Sequence, residues 1–405
     1  MRDAIDRPAS AAMRRGLPLG SFLGATWCLK TLAHPQWLTT LDTAIPRREM
    51  TFTQPAAFSD ARLRLCERIA RAYRTAREDP MDLSPIWKGK VSRYYGALER
   101  ALTSGDPRML DEQLRWLFRR PFLAGISTPI DYEDPAAARY WSLFTYDKLT
   151  SLAEAMGTVR TECPEQGTAG RVFLEGIDGL PARIEATLEI SLDFPRVGAP
   201  YGTLIGGRLI TRETGMHLHA AVCLREAIDT HLRRPPGEDV HIAEIGPGFA
   251  GAAMWYLRLP RRHKGRYTLI DLPLMNAFQA YFLGEVYGAE ALQLCGEQDA
   301  GAPIRILPPQ ALGGREPIVA DVVFNQDSMP ELTEKTAREY LEWMQAHVSG
   351  LFLSFNQEAA TPVNGAAQLV VAELVDELGG LTRIARRPSW VRRGYVEEVY
   401  RCGAG

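Results

Sequence analysis

The feature that most constrains this sequence is an apolar stretch that ends in glycines and leads directly into a helical pattern. Residues 241–251 read HIAEIGPGFAG. At such a turn, glycine lets the backbone approach a ligand that a Cβ would exclude, and the first turn of the helix offers free N–H groups. The stretch therefore predicts a nucleotide-like ligand over Gly246 and Gly248, beside Phe249.

After this turn, short apolar segments alternate with helical patterns. We predict strands at 240–245, 267–271, 304–307, 321–326, 351–356, 381–386 and 395–401. We predict helices at 250–258, 274–287, 334–347 and 365–378. This alternation indicates an α/β fold with a mainly parallel, Rossmann-like sheet of seven strands covered on both faces, in which the seventh strand can insert antiparallel.

The part of the chain before the sheet is mainly α-helical by pattern. A chain of 405 residues exceeds the usual size of one domain, so two compact units are expected. We predict an irregular lead-in at 1–55, a helical domain at 56–193, a connecting loop and cover helix at 194–236, and the ligand-binding domain at 237–405. The helical domain is expected to act as a lid, to select the acceptor or to form a dimer surface.

Composition excludes several classes of function. Lys and Arg number 47 against 49 Asp and Glu, so the chain has no overall positive field for nucleic acid. No run of about 18 apolar residues is present that could span a membrane. The six cysteines lie far apart and form no C-x-x-C pair, which argues against a zinc site or a disulfide framework. A cytoplasmic protein without metal is expected.

Two carboxylates flank the predicted ligand site. Glu244 lies two residues before Gly246, and Asp271 ends the next predicted strand. With Gly251, the glycines also satisfy G-x-G-x-x-G, so this pattern alone does not separate NAD from S-adenosylmethionine. A carboxylate under the turn suits a ligand with a positive sulfonium and an ammonium group, and an ionised Asp271 can accept hydrogen bonds from ribose hydroxyls.

These segments resemble the class I S-adenosylmethionine-dependent methyltransferases, in particular a family of sugar O-methyltransferases. The resemblance is carried by the segments EIGPG at 244–248, YTLIDLP at 267–273, DVVFNQDSMPE at 321–331, LFLSFN at 351–356 and PRVGAP at 195–200. It extends from about residue 194 to the end of the sequence, and a helical N-terminal region is also typical of that family. Ala199 stands where the family usually has asparagine.

The resemblance implies a fold, a cofactor and a set of binding residues. The fold is the seven-stranded methyltransferase sheet, and the cofactor is S-adenosyl-L-methionine. The implied cofactor-binding residues are Glu244, Gly246, Gly248, Phe249, Asp271, Asn325 and Gln326. The expected substrate is a small hydroxylated molecule, and the candidate residues that bind it are Tyr201, Ser328 and Glu331. Formation of a homodimer is left open.

Methyl transfer to a hydroxyl group needs a group that removes a proton. Asp327 is the best-placed carboxylate, although Asp327 or Ser328 could equally cap the following helix. His217 and His219 are further candidates because an imidazole titrates near neutral pH.

Three other functions remain open at this point. The same cofactor supports lyase, cyclase or aminocarboxypropyl chemistry, the glycine pattern fits an NAD(P)-dependent oxidoreductase, and a binding module could retain the pocket without catalysis.

Overall fold

The computed structural model describes residues 32–35, 48, 50–77, 83–123, 135–313, 318–360, 362–363 and 366–403. Most of the predicted irregular lead-in at 1–55 lies outside these residues. Within them, no helix is long and apolar enough to cross a membrane.

The predicted helices are largely confirmed, with small shifts at their ends. In the described ranges the α-helices are α1 (Asp60–Ala76), α2 (Pro85–Tyr94), α3 (Gly96–Thr103), α4 (Pro107–Leu114), α5 (Pro135–Ala155), α6 (Arg171–Glu175), α7 (Leu180–Leu188), α8 (Thr214–His231), α9 (Gly251–Arg258), α10 (Pro273–Tyr287), α11 (Glu334–His347) and α12 (Val371–Leu378).

The strands in the described ranges form three sheets. They are β1 (Met50–Phe52), β2 (Tyr201–Ile205), β3 (Arg208–Ile210), β4 (Ile242–Ile245), β5 (Tyr267–Ile270), β6 (Leu292–Leu294), β7 (Ile304–Leu307), β8 (Ala320–Gln326), β9 (Val348–Gln357), β10 (Pro362–Val363), β11 (Ala366–Ala367), β12 (Leu381–Pro388) and β13 (Tyr395–Cys402).

The largest sheet has eight strands in the order β12-β13-β9-β8-β4-β5-β7-β6. All neighbours from β9 to β6 pair in parallel, whereas β13 is antiparallel to both β9 and β12. The seven predicted strands are confirmed, and the last one does insert antiparallel. The short edge strand β6 was not predicted, because three residues carry too little alternation to stand out.

The order of the strands places a crevice above β4. The chain leaves β4 for β5 on one side and returns to β8 on the other side, which makes the carboxyl end of β4 a topological switch point. Open α/β sheets bind their ligands at such points. This strand order therefore places the glycine turn, Asp271 and the end of β8 around one opening.

Outside the main sheet, one prediction needs correction and another becomes more specific. The predicted helix at 365–378 begins only at Val371, because Ala366–Ala367 pairs with Pro362–Val363 as a small ribbon. The segment after residue 194 was predicted as a loop or small hairpin. It forms the hairpin of β2 and β3, to which β1 adds a third strand.

The helical half packs directly on the sheet half through aromatic side chains. The rings of Phe122 and Phe278 stack at 4.9 Å between centroids, and Tyr95 lies 6.1 Å from Phe278. All three side chains are buried and belong to one hydrophobic cluster with residues of both halves. The division into two domains stays a prediction, since the two halves share this cluster.

We predict that Phe278→Ala lowers the free energy of unfolding by about 3–5 kcal/mol, because it leaves a cavity between the halves. The measurement is urea unfolding followed by circular dichroism. Leu174→Ala is the matched control: that side chain is 77 % exposed, so a change within about 0.5 kcal/mol is expected. Equal effects of the two variants would contradict this account of the interface.

Candidate functional site

A cleft opens at the carboxyl ends of β4, β5 and β8. It holds about 1090 Å³ of empty space, part of it continuous with solvent, which is enough for a nucleoside-sized ligand. The predicted residues that line it are Glu244, Gly246, Gly248, Phe249, Asp271, Gln326, Asp327, Ser328, Glu331 and His217. The fold thus brings together ten of the thirteen side chains or glycines proposed from the sequence.

The glycine turn has no room for side chains at two positions. Gly246 has a φ of 64°, and a Cβ there would lie 2.2 Å from the Cβ of Ser328. A Cβ on Gly251 would lie 2.0 Å from Nδ1 of His217. The turn is therefore packed against the end of β8 on one side and against α8 on the other, which fixes its backbone at the floor of the cleft.

Glu244 lies at the end of β4 and is 2 % exposed. Its Oε2 accepts a hydrogen bond of 2.8 Å from the hydroxyl group of Tyr267. Burial raises the pKa of Glu244 to about 8, because the charged form loses its water and the nearby Asp271 adds repulsion, while the Tyr267 hydrogen bond offsets only a part.

Asp271 directly follows β5 and is almost fully buried. Its carboxylate accepts the N–H of Gly248 at 3.2 Å, the N–H of Leu272 at 2.8 Å and the side-chain amide of Gln279 at 2.9 Å. Burial raises the pKa of Asp271 to about 7, and these three hydrogen bonds act against that rise. A carboxylate offers about four acceptor positions, so one is left for a ligand.

Glu244 and Asp271 lie in surroundings with little positive charge. In the described part of the chain, neither forms an ion pair with a Lys, Arg or His side chain, and their hydrogen-bond donors are a tyrosine hydroxyl, two backbone N–H groups and a glutamine amide. Ionising both groups in this buried place is unfavourable unless a cation is bound beside them. The cleft is electrostatically suited to a positively charged ligand.

Asn325 supports the site from below instead of lining it. It is fully buried on β8, and its Nδ2 donates to the carbonyl oxygen of Ile245 at 2.9 Å and to the hydroxyl group of Ser328. Its Oδ1 accepts from Asn356 on β9 at 2.9 Å. The structure therefore does not bring Asn325 to the cleft, and its amide fixes the loops that follow β4 and β8.

Asp327 sits in a turn with a φ of 69° and forms an ion pair with Arg392. Arg392 also donates to the hydroxyl group of Tyr395 at 2.8 Å and lies 3.6 Å over its ring. Neither Asp327 nor Ser328 caps α11, because the side chain of Thr333 accepts the N–H of Thr336 there. Ser328 directly precedes the short 3-10 turn Met329–Glu331, but its side chain forms no cap hydrogen bond to that turn.

The two histidines on α8 have different surroundings. His217 lines the cleft beside Phe249, and burial lowers the pKa of its ring to about 4, so the ring is neutral at pH 7. His219 lies outside the cleft and forms an ion pair with Glu397. Although burial opposes its charged form, Cys223 and Glu397 raise the pKa of His219 to about 10.

Tyr201 is also outside the cleft. It is buried in β2, where its ring lies 6.1 Å from that of Phe52. The predicted contact with the substrate is therefore not available to it in this structure.

The helical half supplies a roof whose residues the sequence patterns did not indicate. Leu83, Ser84 and Trp87, at the start of α2, line the cleft opposite the glycine turn. Lys90 of the same helix donates to Glu331 at 2.8 Å and lies 4.5 Å from the ring of Trp87. More than 150 residues separate these side chains from the turn in sequence, so no local motif could connect them.

Comparison with known proteins gives structural matches only. No protein-family model matches the chain, and none of the curated proteins matches it. Among solved structures, mitomycin 7-O-methyltransferase shows 16% identity and a TM-score of 0.35, with 82% of this chain and 94% of that chain covered. Magnesium protoporphyrin IX methyltransferase from Synechocystis shows 12% identity, a TM-score of 0.34 and coverage of 47% and 84%. The 1,6-didemethyltoxoflavin-N1-methyltransferase from Burkholderia thailandensis shows 15% identity, a TM-score of 0.33 and coverage of 46% and 79%.

The topology of the chain itself identifies its fold class. A parallel sheet with its switch point at β4 and with β13 inserted antiparallel between β9 and β12 is the arrangement expected for class I methyltransferases. The resemblance is confirmed at the level of this fold.

We predict that Glu244→Gln stabilises the ligand-free protein at pH 8 by on the order of 2 kcal/mol. The raised pKa means that the contribution of the protonated carboxyl is complete below about pH 4.5 and is lost as the pH rises through about 8. Glutamine imitates the protonated form, so the stability gap between variant and wild type should close toward pH 5.

Thermal unfolding between pH 5 and pH 8.5 measures this gap. Glu342→Gln, at an exposed position on α11, is the control and should show no comparable change with pH. A Glu244→Gln variant that is less stable than wild type at pH 8 would show that the buried charge is compensated.

Proposed function

We propose that this protein is an S-adenosylmethionine-dependent methyltransferase that methylates a hydroxyl group of a small molecule. The observation that carries the proposal is the pair of buried carboxylates, Glu244 and Asp271, which flank a turn without side chains and have no basic partner in the described residues. A cationic nucleoside matches both the charge and the shape of the cleft at the glycine turn.

The same charges argue against a dinucleotide. The pyrophosphate of NAD(P) would bring negative charge to the glycine turn, where burial already disfavours ionisation of Glu244 and Asp271 and where no basic side chain among the described residues pairs with them. S-adenosylmethionine has no pyrophosphate and carries a positive sulfur and an ammonium group. The local electrostatics therefore favour the methyl donor over the nicotinamide cofactors.

The residues of the chain have distinct roles in this proposal. Asp271 accepts hydrogen bonds from the ribose hydroxyls with its remaining acceptor position, and Glu244 supplies negative charge near the methionine part. Gly246 and Gly248 let the backbone approach the ligand. When bound, S-adenosylmethionine supplies an electrophilic methyl group, so the chain mainly has to orient the acceptor, exclude water and take up a proton.

The acceptor would lie between the roof and the end of β8. Trp87 offers an apolar face, while Ser328 and Glu331 offer polar groups at the same opening. We assign the uptake of the acceptor proton to His217, because its ring lines the cleft in the neutral form and the negative charge of Asp327 at the same opening favours the protonated ring once the proton has moved. Asp327, which is held by Arg392, orients the acceptor hydroxyl group.

Product analysis tests the reaction type. Incubation with S-adenosylmethionine and a panel of hydroxylated metabolites should yield S-adenosylhomocysteine and a product heavier by one methylene unit. Formation of methylthioadenosine instead would assign the chain to attack on the methionine side chain and would overturn methyl transfer.

We predict that Asp271→Ala weakens binding of S-adenosylmethionine by about 1–3 kcal/mol through the loss of charge-assisted hydrogen bonds. Isothermal titration calorimetry at pH 8 measures the change, since this pH lies above the pKa of about 7 of Asp271. Asp299→Ala is the control, because Asp299 is exposed and pairs with Arg266, and its affinity should equal that of wild type.

The same titration with NAD(H) and NADP(H) should show no binding. Tight binding of a nicotinamide cofactor, or an unchanged affinity of Asp271→Ala for S-adenosylmethionine, would contradict the assignment of the site.

We predict that His217→Asn lowers kcat by about 100-fold or more while the affinity for S-adenosylmethionine stays within a factor of about three, as expected for the loss of a proton acceptor. Asp327→Asn should mainly raise KM for the acceptor. Steady-state kinetics with the acceptor found above separates the two effects. The reverse pattern would assign the proton acceptor to Asp327.

A further inference from the structure

A second cluster of polar side chains lies behind the cleft, between α8 and the antiparallel end of the sheet. His219 and Cys223 are four residues apart on α8 and so face the same side of the helix. Glu397 points toward them from β13. All three residues are buried: the exposed fraction is 7 % for His219, 5 % for Cys223 and 5 % for Glu397. All three lie on a regular helix or strand.

The distances within this cluster resemble those between the ligands of one ion. Sγ of Cys223 lies 3.4 Å from Nε2 of His219 and 3.7 Å from Oε2 of Glu397. With zinc bonds of about 2.3 Å to sulfur and about 2.1 Å to nitrogen or oxygen, tetrahedral ligands stand about 3.6 Å apart. Oε1 of Glu397 is 2.7 Å from Nε2 of His219, which is a hydrogen-bond distance, so Oε2 is the ligand atom that fits.

We propose that His219, Cys223 and Glu397 form a binding site for one divalent transition-metal ion of the zinc class. One imidazole nitrogen, one thiolate and one carboxylate oxygen form a donor set that such ions prefer over magnesium or calcium, and binding of the ion releases the protons of the His219 ring and the Cys223 thiol to solvent. The sequence had led us to expect no metal, because no two cysteines form a C-x-x-C pair. The fold brings Glu397 of β13, which is 174 residues from Cys223 in the sequence, next to the two side chains on α8.

Arg387 on β12 completes the surroundings of this site. It donates to Sγ of Cys223 at 3.0 Å and to Oε2 of Glu397 at 2.8 Å. An N–H group directed at a metal-bound thiolate is an outer-shell contact that orients the ligand, and the half-exposed guanidinium can turn toward solvent to free Oε2. A cavity lined by Cys223, Arg387 and Glu397 gives an ion a path of entry and leaves space for a water molecule as fourth ligand.

Binding of cobalt(II) to the full-length protein tests the proposal. After removal of bound metal with a chelator, titration with Co²⁺ should produce a thiolate-to-cobalt charge-transfer band that saturates at one equivalent, and Zn²⁺ should abolish it. Cys223→Ser should remove the band, and His219→Gln should weaken Co²⁺ binding by about 100-fold or more. Cys163→Ser, at an exposed cysteine, is the matched control and should behave as wild type.

Two results would overturn the site. A folded wild-type protein without the charge-transfer band would show that the cluster is a metal-free network of ion pairs around Arg387. A band that persists in Cys223→Ser would place the ion elsewhere. Because wild type alone decides the first outcome, the proposal stays testable even if Cys223→Ser does not fold.

Discussion

The burial of two carboxylates at the switch point of the sheet is the constraint on which the site depends. Glu244 and Asp271 end neighbouring parallel strands, so the pleat and register of β4 and β5 fix their separation. Because both groups are desolvated, ionising them is unfavourable unless a cation lies beside them. In the proposed function, this electrostatic cost is offset when the positively charged cofactor binds.

Much of the sheet could be predicted from sequence because each strand carries its own local signal. Strands such as 304–307 and helices such as 334–347 agree with the structure to the residue. The glycine turn and the carboxylates at strand ends were visible for the same reason, since turn chemistry and strand ends are local. The roof was not visible, because contacts between Trp87 and the glycine turn depend on how the two halves pack.

Single residues show where local reasoning fails. His217 and His219 are two positions apart, which on an α-helix means about 200° of rotation, so they face opposite sides of α8. Asn325 directly precedes Gln326 on β8, and alternation along a strand sends the two side chains to opposite faces. The sequence predicts the helix or strand on which such residues lie. It does not predict where each side chain points, because that depends on which face of the element is covered.

An ion pair of Lys90 with Glu331 joins the roof to the loop after β8 at the rim of the cleft. Both side chains keep part of their surface in water, at 15 % and 23 % exposure, so their attraction is weakened by dissolved salt and contributes on the order of 1 kcal/mol. Because this contact lies at the rim and not in the core, breaking it leaves the buried apolar contacts of α2 intact. Dissolved salt should therefore weaken the link between the roof and Glu331 while the sheet and the hydrophobic cluster keep their stability.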